Sequence, residues 1–343
     1  MFLNAWSLSL TLCSIIVIFL MTIAARTAFR VIRYWNPGSD SNLQIRLESE
    51  TWLASTLVEY ALAVQAFSLL LFLLAADNYS KVIAGAMCAT GTLLANGYGM
   101  PALLFKISGF FLYAFWILTH QLDIRSESYP LVRFKFSYLL FLLPVVIIDQ
   151  ALQTAYIANL DPDIITSCCA VVFSDAAGEG RNLIGALSAP VLPVFYTLAA
   201  FLFILGLLLG KVLPVKTGER TAGFLLLLYT AGWAIFFLVS LLAITSVLSS
   251  YIYAMPSHRC PFDIIKPEYN YIGVLIYTAL LAGTFAGVSP AFAKFVTRNT
   301  GLGDAAVKYG RTAVILSTLF LAIFICASSY HYLKYMITGG ESL

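Results

Sequence analysis

The chain has 343 residues, of which 60% are hydrophobic and only 11% are charged, and its mean hydropathy is +0.88. A soluble domain of this composition would expose large apolar surfaces, so the composition excludes a soluble protein and predicts a protein embedded in a lipid bilayer. A net charge of only +3 excludes a nucleic-acid-binding surface. The absence of a phosphate-binding GK[ST] loop excludes a nucleotide-driven motor.

Eight apolar segments follow one another along the chain, and each is long enough to cross about 30 Å of hydrocarbon as a helix. We therefore predict an all-α, polytopic integral membrane protein that forms one helical domain over residues 1–343. The predicted spans are residues 6–25, 52–76, 101–119, 136–158, 185–209, 221–249, 271–294 and 312–335.

A further segment, residues 82–100, is apolar but rich in Gly, Ala, Thr and Asn, and it runs directly into Pro101. Two interpretations are open: a ninth crossing helix, or a re-entrant segment that enters and leaves on one side. A ninth crossing would reverse every later connection against its charge, so the re-entrant interpretation is preferred.

The positions of Lys and Arg predict the orientation, because positive residues near span ends stay in the cytoplasm. They are concentrated after the first, third, fifth and seventh spans, whereas the loops 77–100, 159–184 and 250–270 are poorer in them. These three loops should therefore face outward. Both termini should also lie outside, and the protein should be a multi-pass protein of the cell membrane, specifically the inner membrane of a bacterium.

Four of the six cysteines, Cys88, Cys168, Cys169 and Cys260, lie in these outward loops. Outside the cytoplasm, thiols form disulfides, bind metals or are kept reactive by a partner. Adjacent cysteines rarely bond to each other, so disulfides would link Cys88 and Cys260 to one each of Cys168 and Cys169.

The leading functional hypothesis is thiol–disulfide electron transfer with these four cysteines as the catalytic residues. One pair would exchange with a periplasmic thioredoxin-like protein, and electrons would pass to or from a quinone in the bilayer. His258 and Arg259 beside Cys260 would favour the reactive thiolate. The layout resembles that of membrane disulfide-generating oxidoreductases, which also place two outward cysteine pairs on loops; this chain has no CxxC motif and twice their helices.

Two other interpretations of the cysteines remain open. They are structural disulfides that tie the outer loops together, or ligands of a metal site. His258, Cys260, Cys168 and Cys169 are the candidate ligands, and sulfur with imidazole suits copper(I) or zinc.

Charged residues inside the spans are a second functional signal, because each is costly in lipid. Lys106 and Asp149 are predicted to form an ion pair, either for packing or as a proton or quinone site, and Glu59 is a candidate for a proton path. The alternative function is a permease, or the membrane subunit of a transporter with an ATPase partner, for a metal or small solute. In that case the cysteines would be structural disulfides.

Overall fold

The computed structural model describes residues 3–36, 38, 41–84, 86–163, 188–213, 219–255 and 258–338. These residues form helices and contain no β-strand. Their α-helices are α1 (Ala5–Tyr34), α2 (Asn42–Tyr79), α3 (Ala89–Leu94), α4 (Gly99–Asp123), α5 (Val132–Ala158), α6 (Ser188–Val212), α7 (Glu219–Ala243), α8 (Ser249–Tyr253), α9 (Ile272–Val296) and α10 (Gly303–Thr338). A π-helical turn, Ile244–Leu248, joins α7 to α8.

All eight predicted spans lie on helices over their described residues, except that α9 begins one residue after the seventh span; residues 185–187 of the fifth span lie outside the described residues. Within the described residues, seven helices are long and apolar enough to cross a membrane: α1, α2, α4, α6, α7 with its continuation through α8, α9 and α10. The remaining predicted span, 136–158, lies on α5, a helix of 27 residues. The prediction of an all-α polytopic membrane protein is confirmed.

Several helices continue beyond the predicted spans. The first span was expected to end at residue 25, but α1 continues to Tyr34, and α2 begins at Asn42 rather than at residue 52. Hydropathy marks only the part of a helix that suits hydrocarbon, whereas these extensions are polar and are joined by ion pairs. Glu50 on α2 pairs with Arg30 on α1, and also with Arg46 at 3.0 Å.

The described residues between α2 and α4 do not form a ninth crossing helix. They include only α3, which has six residues and is therefore about 9 Å long. The Thr92 hydroxyl donates to the Ala76 carbonyl at 2.8 Å, so α3 turns back along the last turns of α2. A Cβ atom at Gly99 would lie 2.3 Å from the Leu93 carbonyl oxygen, so glycine is required where α4 begins. This conformation agrees with a re-entrant segment.

The chain divides into two compact units. The first unit comprises Met1–Ala84, Thr92–Ile164 and Phe295–Ala306, and the second comprises Gly85–Gly91, Ile165–Lys294 and Val307–Leu343. In the first unit α1 packs against α2 and α5, and α4 packs against the same two helices. These contacts make a closed four-helix bundle with the order α1, α2, α4, α5 around its axis.

Buried residues in the first unit recur at alternating spacings of three and four, which is the heptad pattern of left-handed bundles. On α1 they include Ser7, Leu10, Ser14, Val17, Met21, Ala24, Ala28 and Val31. On α2 they include Gln44, Leu47, Thr51, Ala54, Val58, Ala61, Gln65, Ser68, Phe72, Ala75 and Tyr79. The heptad positions therefore determine which residues face the interior of this bundle, and the polar residues at those positions point into it.

The core of the second unit is apolar and aromatic, with buried residues from α6, α7, α9 and α10. Phe195 stacks on Phe236 with ring centroids 5.5 Å apart, and Phe324 packs edge-on against both rings. Trp233 completes the group against Phe236. Such tilted aromatic pairs add to the free energy gained from close packing.

Candidate thiol site

The connection between α8 and α9 is compact because both flanking helices hold it. The Tyr253 hydroxyl at the end of α8 donates to the carbonyl of Cys260. The Tyr277 hydroxyl on α9 donates to the carbonyl of Pro261 at 2.6 Å. After these residues come two short 3-10 turns, Asp263–Ile265 and Pro267–Tyr269. The backbone at Cys260 is thus fixed from two sides.

Two cysteines from distant parts of the sequence lie side by side in the second unit. Cys88 precedes α3, and Cys260 lies in the connection between α8 and α9. Their Sγ atoms and a carboxylate oxygen of Asp263 all lie within 4.8 Å of one another, and the three residues are buried. The Thr90 hydroxyl lies 3.4 Å from the Cys260 sulfur. Among the cysteines that the structure describes, no two are joined by a disulfide bond.

The Asp263 carboxylate is held by two basic side chains. One oxygen lies 3.0 Å from His258 Nε2, and the other lies 2.6 Å from Lys266 Nζ. The Tyr253 ring packs edge-on against the imidazole with centroids 4.5 Å apart, which fixes the orientation of His258. Burial, with the nearby carboxylates, raises the pKa of the Tyr269 hydroxyl at the edge of this group, so that phenol stays neutral at neutral pH.

This arrangement brings together groups that can serve either dithiol chemistry or metal binding. A thiol reacts as the thiolate, and a carboxylate oxygen of Asp263 lies within 4.8 Å of both sulfurs. A structural zinc site takes four protein ligands and a catalytic one takes three with an open position, and the described residues bring three together here. The carboxylate among those three is already engaged by Lys266. A redox-active pair needs only the two sulfurs.

The structure brings together only part of the predicted site. Cys88 and Cys260 are adjacent to each other, whereas the sequence favoured bonds from each of them to Cys168 and Cys169. The last two lie outside the described residues, so their role stays a prediction. His258 joins the site through its contact with Asp263, and Arg259 is half-buried beside Cys260.

Asp263 and Thr90 were not predicted as site residues. Asp263 follows Cys260 by three positions and begins a 3-10 turn, so its proximity could have been suspected from the sequence. Thr90 follows Cys88 by two positions, but no sequence pattern indicates that α3 approaches the connection after α8. Such contacts depend on tertiary structure alone.

The charged residues predicted inside the spans belong to the first unit. Lys106 and Asp149 form the expected ion pair at 3.1 Å, and each side chain is 1% exposed. Glu59 does not join this pair. Its carboxylate lies 3.6 Å from His120 Nε2 and accepts a hydrogen bond from Gln121.

Comparisons with protein families, with curated proteins and with solved structures find no match to this chain.

Proposed function

We propose that this protein is a membrane thiol–disulfide oxidoreductase in which Cys88 and Cys260 form the redox-active dithiol. The observation that carries the proposal is the convergence of both sulfurs and the Asp263 carboxylate within 4.8 Å. A disulfide bond is about 2.05 Å long. The two sulfurs, which lie within 4.8 Å of each other, would have to approach to that distance for the bond to form.

The reaction balances with a two-electron oxidant. Asp263 accepts the proton of one thiol, and this thiolate and the second thiol form the S–S bond as two electrons pass to the oxidant. The proton of the second thiol and the one held by Asp263 follow the electrons to the oxidant. Two electrons and two protons pass to the oxidant. A membrane quinone is the oxidant class that fits, since it takes up both electrons and both protons and becomes the quinol.

The same proposal includes the remaining cysteines and the orientation. Cys168 and Cys169 are the second pair, which exchanges with a soluble thioredoxin-like protein. The distribution of Lys and Arg supports an outward position for all four cysteines in a bacterial inner membrane. Cysteine pairs that form disulfides operate in oxidising compartments.

The proposal is tested by trapping the redox state of the thiols in intact cells. Cells are quenched in acid, the protein is denatured, and free thiols are counted by the mobility shift from a polyethylene-glycol maleimide. Blocking quinone reoxidation should raise the fraction with Cys88 and Cys260 reduced, and restoring it should lower that fraction.

Matched controls exist in the same chain. Cys13 and Cys326 lie on α1 and α10 and should label equally under both conditions. Cys88→Ser or Cys260→Ser should abolish the quinone-dependent change, whereas Cys13→Ser or Cys326→Ser should leave it intact. A redox state of Cys88 and Cys260 that never responds to quinone availability would overturn the proposal.

A second candidate, from another class, is transport of a metal or small solute, alone or with an ATPase subunit. The buried Lys106–Asp149 pair supports it, because charges inside spans often mark a solute or ion path. Uptake into vesicles that carry Lys106→Met or Asp149→Asn distinguishes it from the first. Unchanged uptake would count against a path through this pair.

A further inference from the structure

The side chains of Cys88, Cys260 and Asp263 present the atoms with which proteins bind zinc. Their two sulfurs and one carboxylate oxygen lie within 4.8 Å of one another, and all three residues are buried. Zinc is bound in proteins by cysteine sulfur, histidine nitrogen and carboxylate oxygen. Zinc sites that keep an open coordination position use three protein ligands. The three residues therefore match such a site in the type and the number of their donor atoms.

The distances between these donor atoms are close to those that a zinc ion requires. With Zn–S bonds of about 2.3 Å and Zn–O bonds of about 2.1 Å, a tetrahedral ion places two sulfurs about 3.8 Å apart, and a sulfur and an oxygen about 3.6 Å apart. Because no pair of the three donors is more than 4.8 Å apart, no separation has to shorten by more than about 1.2 Å. The donors are therefore already near the spacing of a zinc site.

Zinc binding leaves the net charge of this buried group unchanged. In the reduced state, two neutral thiols and one carboxylate carry a single negative charge. A Zn²⁺ ion with two thiolates and the same carboxylate also carries a single negative charge, because the ion replaces two thiol protons that leave for the solvent. Adding an isolated charge to a buried site is costly, and this exchange adds none.

The ion pairs of Asp263 are those expected of a carboxylate that binds a metal. One of its oxygens lies 3.0 Å from His258 Nε2, and the other lies 2.6 Å from Lys266 Nζ. A carboxylate offers about four lone-pair sites, so these two contacts leave room for a metal ion. Carboxylates that bind metals are usually held by hydrogen bonds from surrounding residues, which fix their orientation. His258 and Lys266 can serve in this way, and their positive partial charges offset the negative donors.

The Cys260 side of the site is also held in place. The Tyr253 hydroxyl donates to the carbonyl of Cys260, and the Tyr277 hydroxyl donates to the carbonyl of Pro261 at 2.6 Å. The Thr90 hydroxyl lies 3.4 Å from the Cys260 sulfur and can donate to it in the thiolate form. A metal site needs ligands that the surrounding residues fix in position, and these contacts meet that need at Cys260.

We propose that the reduced protein binds a zinc ion through Cys88 Sγ, Cys260 Sγ and one oxygen of Asp263, with His258 and Lys266 holding the carboxylate in position. The fourth coordination position is open to water. The metal complex and the disulfide exclude each other, because each uses both sulfurs. Zinc therefore keeps the dithiol reduced in the presence of a quinone, and this last consequence rests on the proposed oxidoreductase function.

Cobalt(II) is a visible probe for the site, because it adopts the tetrahedral geometry of zinc and absorbs light when it binds thiolates. The reduced full chain in detergent is titrated with Co²⁺ in the absence of quinone, and thiolate-to-cobalt charge-transfer absorption should appear and be removed by Zn²⁺. Cys88→Ser and Cys260→Ser should each lose at least about half of this absorption, since each removes one of two thiolate ligands. The double variant Cys13→Ser with Cys326→Ser should keep it. No absorption in the wild type, or full absorption in Cys88→Ser and Cys260→Ser, would overturn the proposal.

The carboxylate ligand is tested with a matched pair of variants in one connection. Asp263→Asn should weaken Co²⁺ binding by more than the roughly 10- to 100-fold that the loss of an outer-shell partner costs. Glu268→Gln removes an exposed carboxylate from the same connection and should leave the affinity unchanged. Equal Co²⁺ affinities of Asp263→Asn and the wild type would refute the assignment of Asp263 as a ligand.

A measurement on the wild type keeps the test decisive if these variants do not fold. X-ray absorption of the zinc-loaded protein should show two sulfur neighbours at about 2.3 Å and oxygen or nitrogen neighbours at about 2.0 to 2.2 Å. Three or four sulfur neighbours would add Cys168 or Cys169 to the ligands, and fewer than two would remove Cys88 or Cys260. Either result would overturn the proposed ligand set.

The outcomes for the zinc site and for the oxidoreductase can be told apart. A dithiol that follows quinone availability but binds no metal would refute the zinc site alone, whereas one that binds metal but never responds to quinone would refute the oxidoreductase alone. Where both hold, Zn²⁺ at ten times its dissociation constant occupies about nine-tenths of the dithiol, so quinone-dependent disulfide formation should slow about tenfold. An unchanged rate would refute the mutual exclusion of zinc and disulfide.

Discussion

The buried Lys106–Asp149 pair allows a stability prediction with a worked magnitude. Both side chains are 1% exposed, so Lys106→Met would leave the Asp149 charge without its counter-ion. Breaking a buried pair in this way costs about 3 to 5 kcal/mol, whereas replacing both partners by apolar residues is often neutral. A cooperative unit of this size loses roughly 2 to 4 °C in Tm per kcal/mol, so Lys106→Met should lower Tm by roughly 10 °C.

The assay is thermal unfolding in detergent followed by tryptophan fluorescence, with Trp116 buried in the same bundle. The double variant Lys106→Met with Asp149→Leu should recover most of the loss. Lys211→Met removes an exposed lysine at the end of α6 and should change Tm little. A loss below about 1 kcal/mol for Lys106→Met would mean that Asp149 carries no charge to compensate, and the reasoning from a charged pair would fail.

The remaining predictions concern the thiol site, the packing of the second unit and the orientation. Asp263→Asn should slow quinone-dependent oxidation of Cys260 about a hundredfold, as expected for removal of a general base, measured by timed thiol trapping. Gly287→Ala should cost about 1 to 3 kcal/mol through overpacking, measured by Tm, because its Cβ would lie 2.2 Å from the Trp233 ring. A cysteine introduced as Glu268→Cys in a Cys-free background should react with an impermeant maleimide on intact cells.

Each of these predictions has an internal control and a result that would contradict it. A Cβ atom added at Gly303 would meet no other atom within 4 Å, so Gly303→Ala should be nearly neutral; equal effects at Gly287 and Gly303 would refute the overpacking at Gly287. Oxidation that is equally fast in Asp263→Asn would remove Asp263 from the chemistry. Asn299→Cys, beyond the other end of α9, should react only after the cells are permeabilised.

The sequence predicted the helices well because one physical effect dominates them. Hydrocarbon thickness determines how long an apolar run must be, and the eight runs all lie on helices. The sequence predicted the helix ends less well, because the helix extensions around Arg30 and Glu50 are stabilised by ion pairs rather than by lipid. The heptad pattern of the first unit was present in the sequence, at positions such as Gln65 and Ser68, but the uniform hydrophobicity of the spans concealed it.

Residues of the candidate site were predicted unequally, and the difference has a physical cause. Cysteine and histidine are scarce, so Cys88, Cys260 and His258 could be selected by residue type alone. Asp263 resembles any loop carboxylate until the two 3-10 turns after Cys260 place it beside both sulfurs. The Lys106–Asp149 pair was predictable because the cost of isolated charges in lipid requires that they find each other.

Orientation decides which chemistry the thiol site can perform, and burial determines how orientation must be measured. Cys260 is 0% exposed and Cys88 is 2% exposed. Failure of an external reagent to label them would therefore show that they are buried, and would not show on which side of the membrane they lie. Glu268 and Asn299 are exposed and flank the two ends of α9, so labelling there reports the side alone. If only Asn299→Cys reacted from outside, the dithiol would face a reducing cytoplasm, where a persistent disulfide is disfavoured, and the oxidoreductase proposal would fail even with both sulfurs in contact.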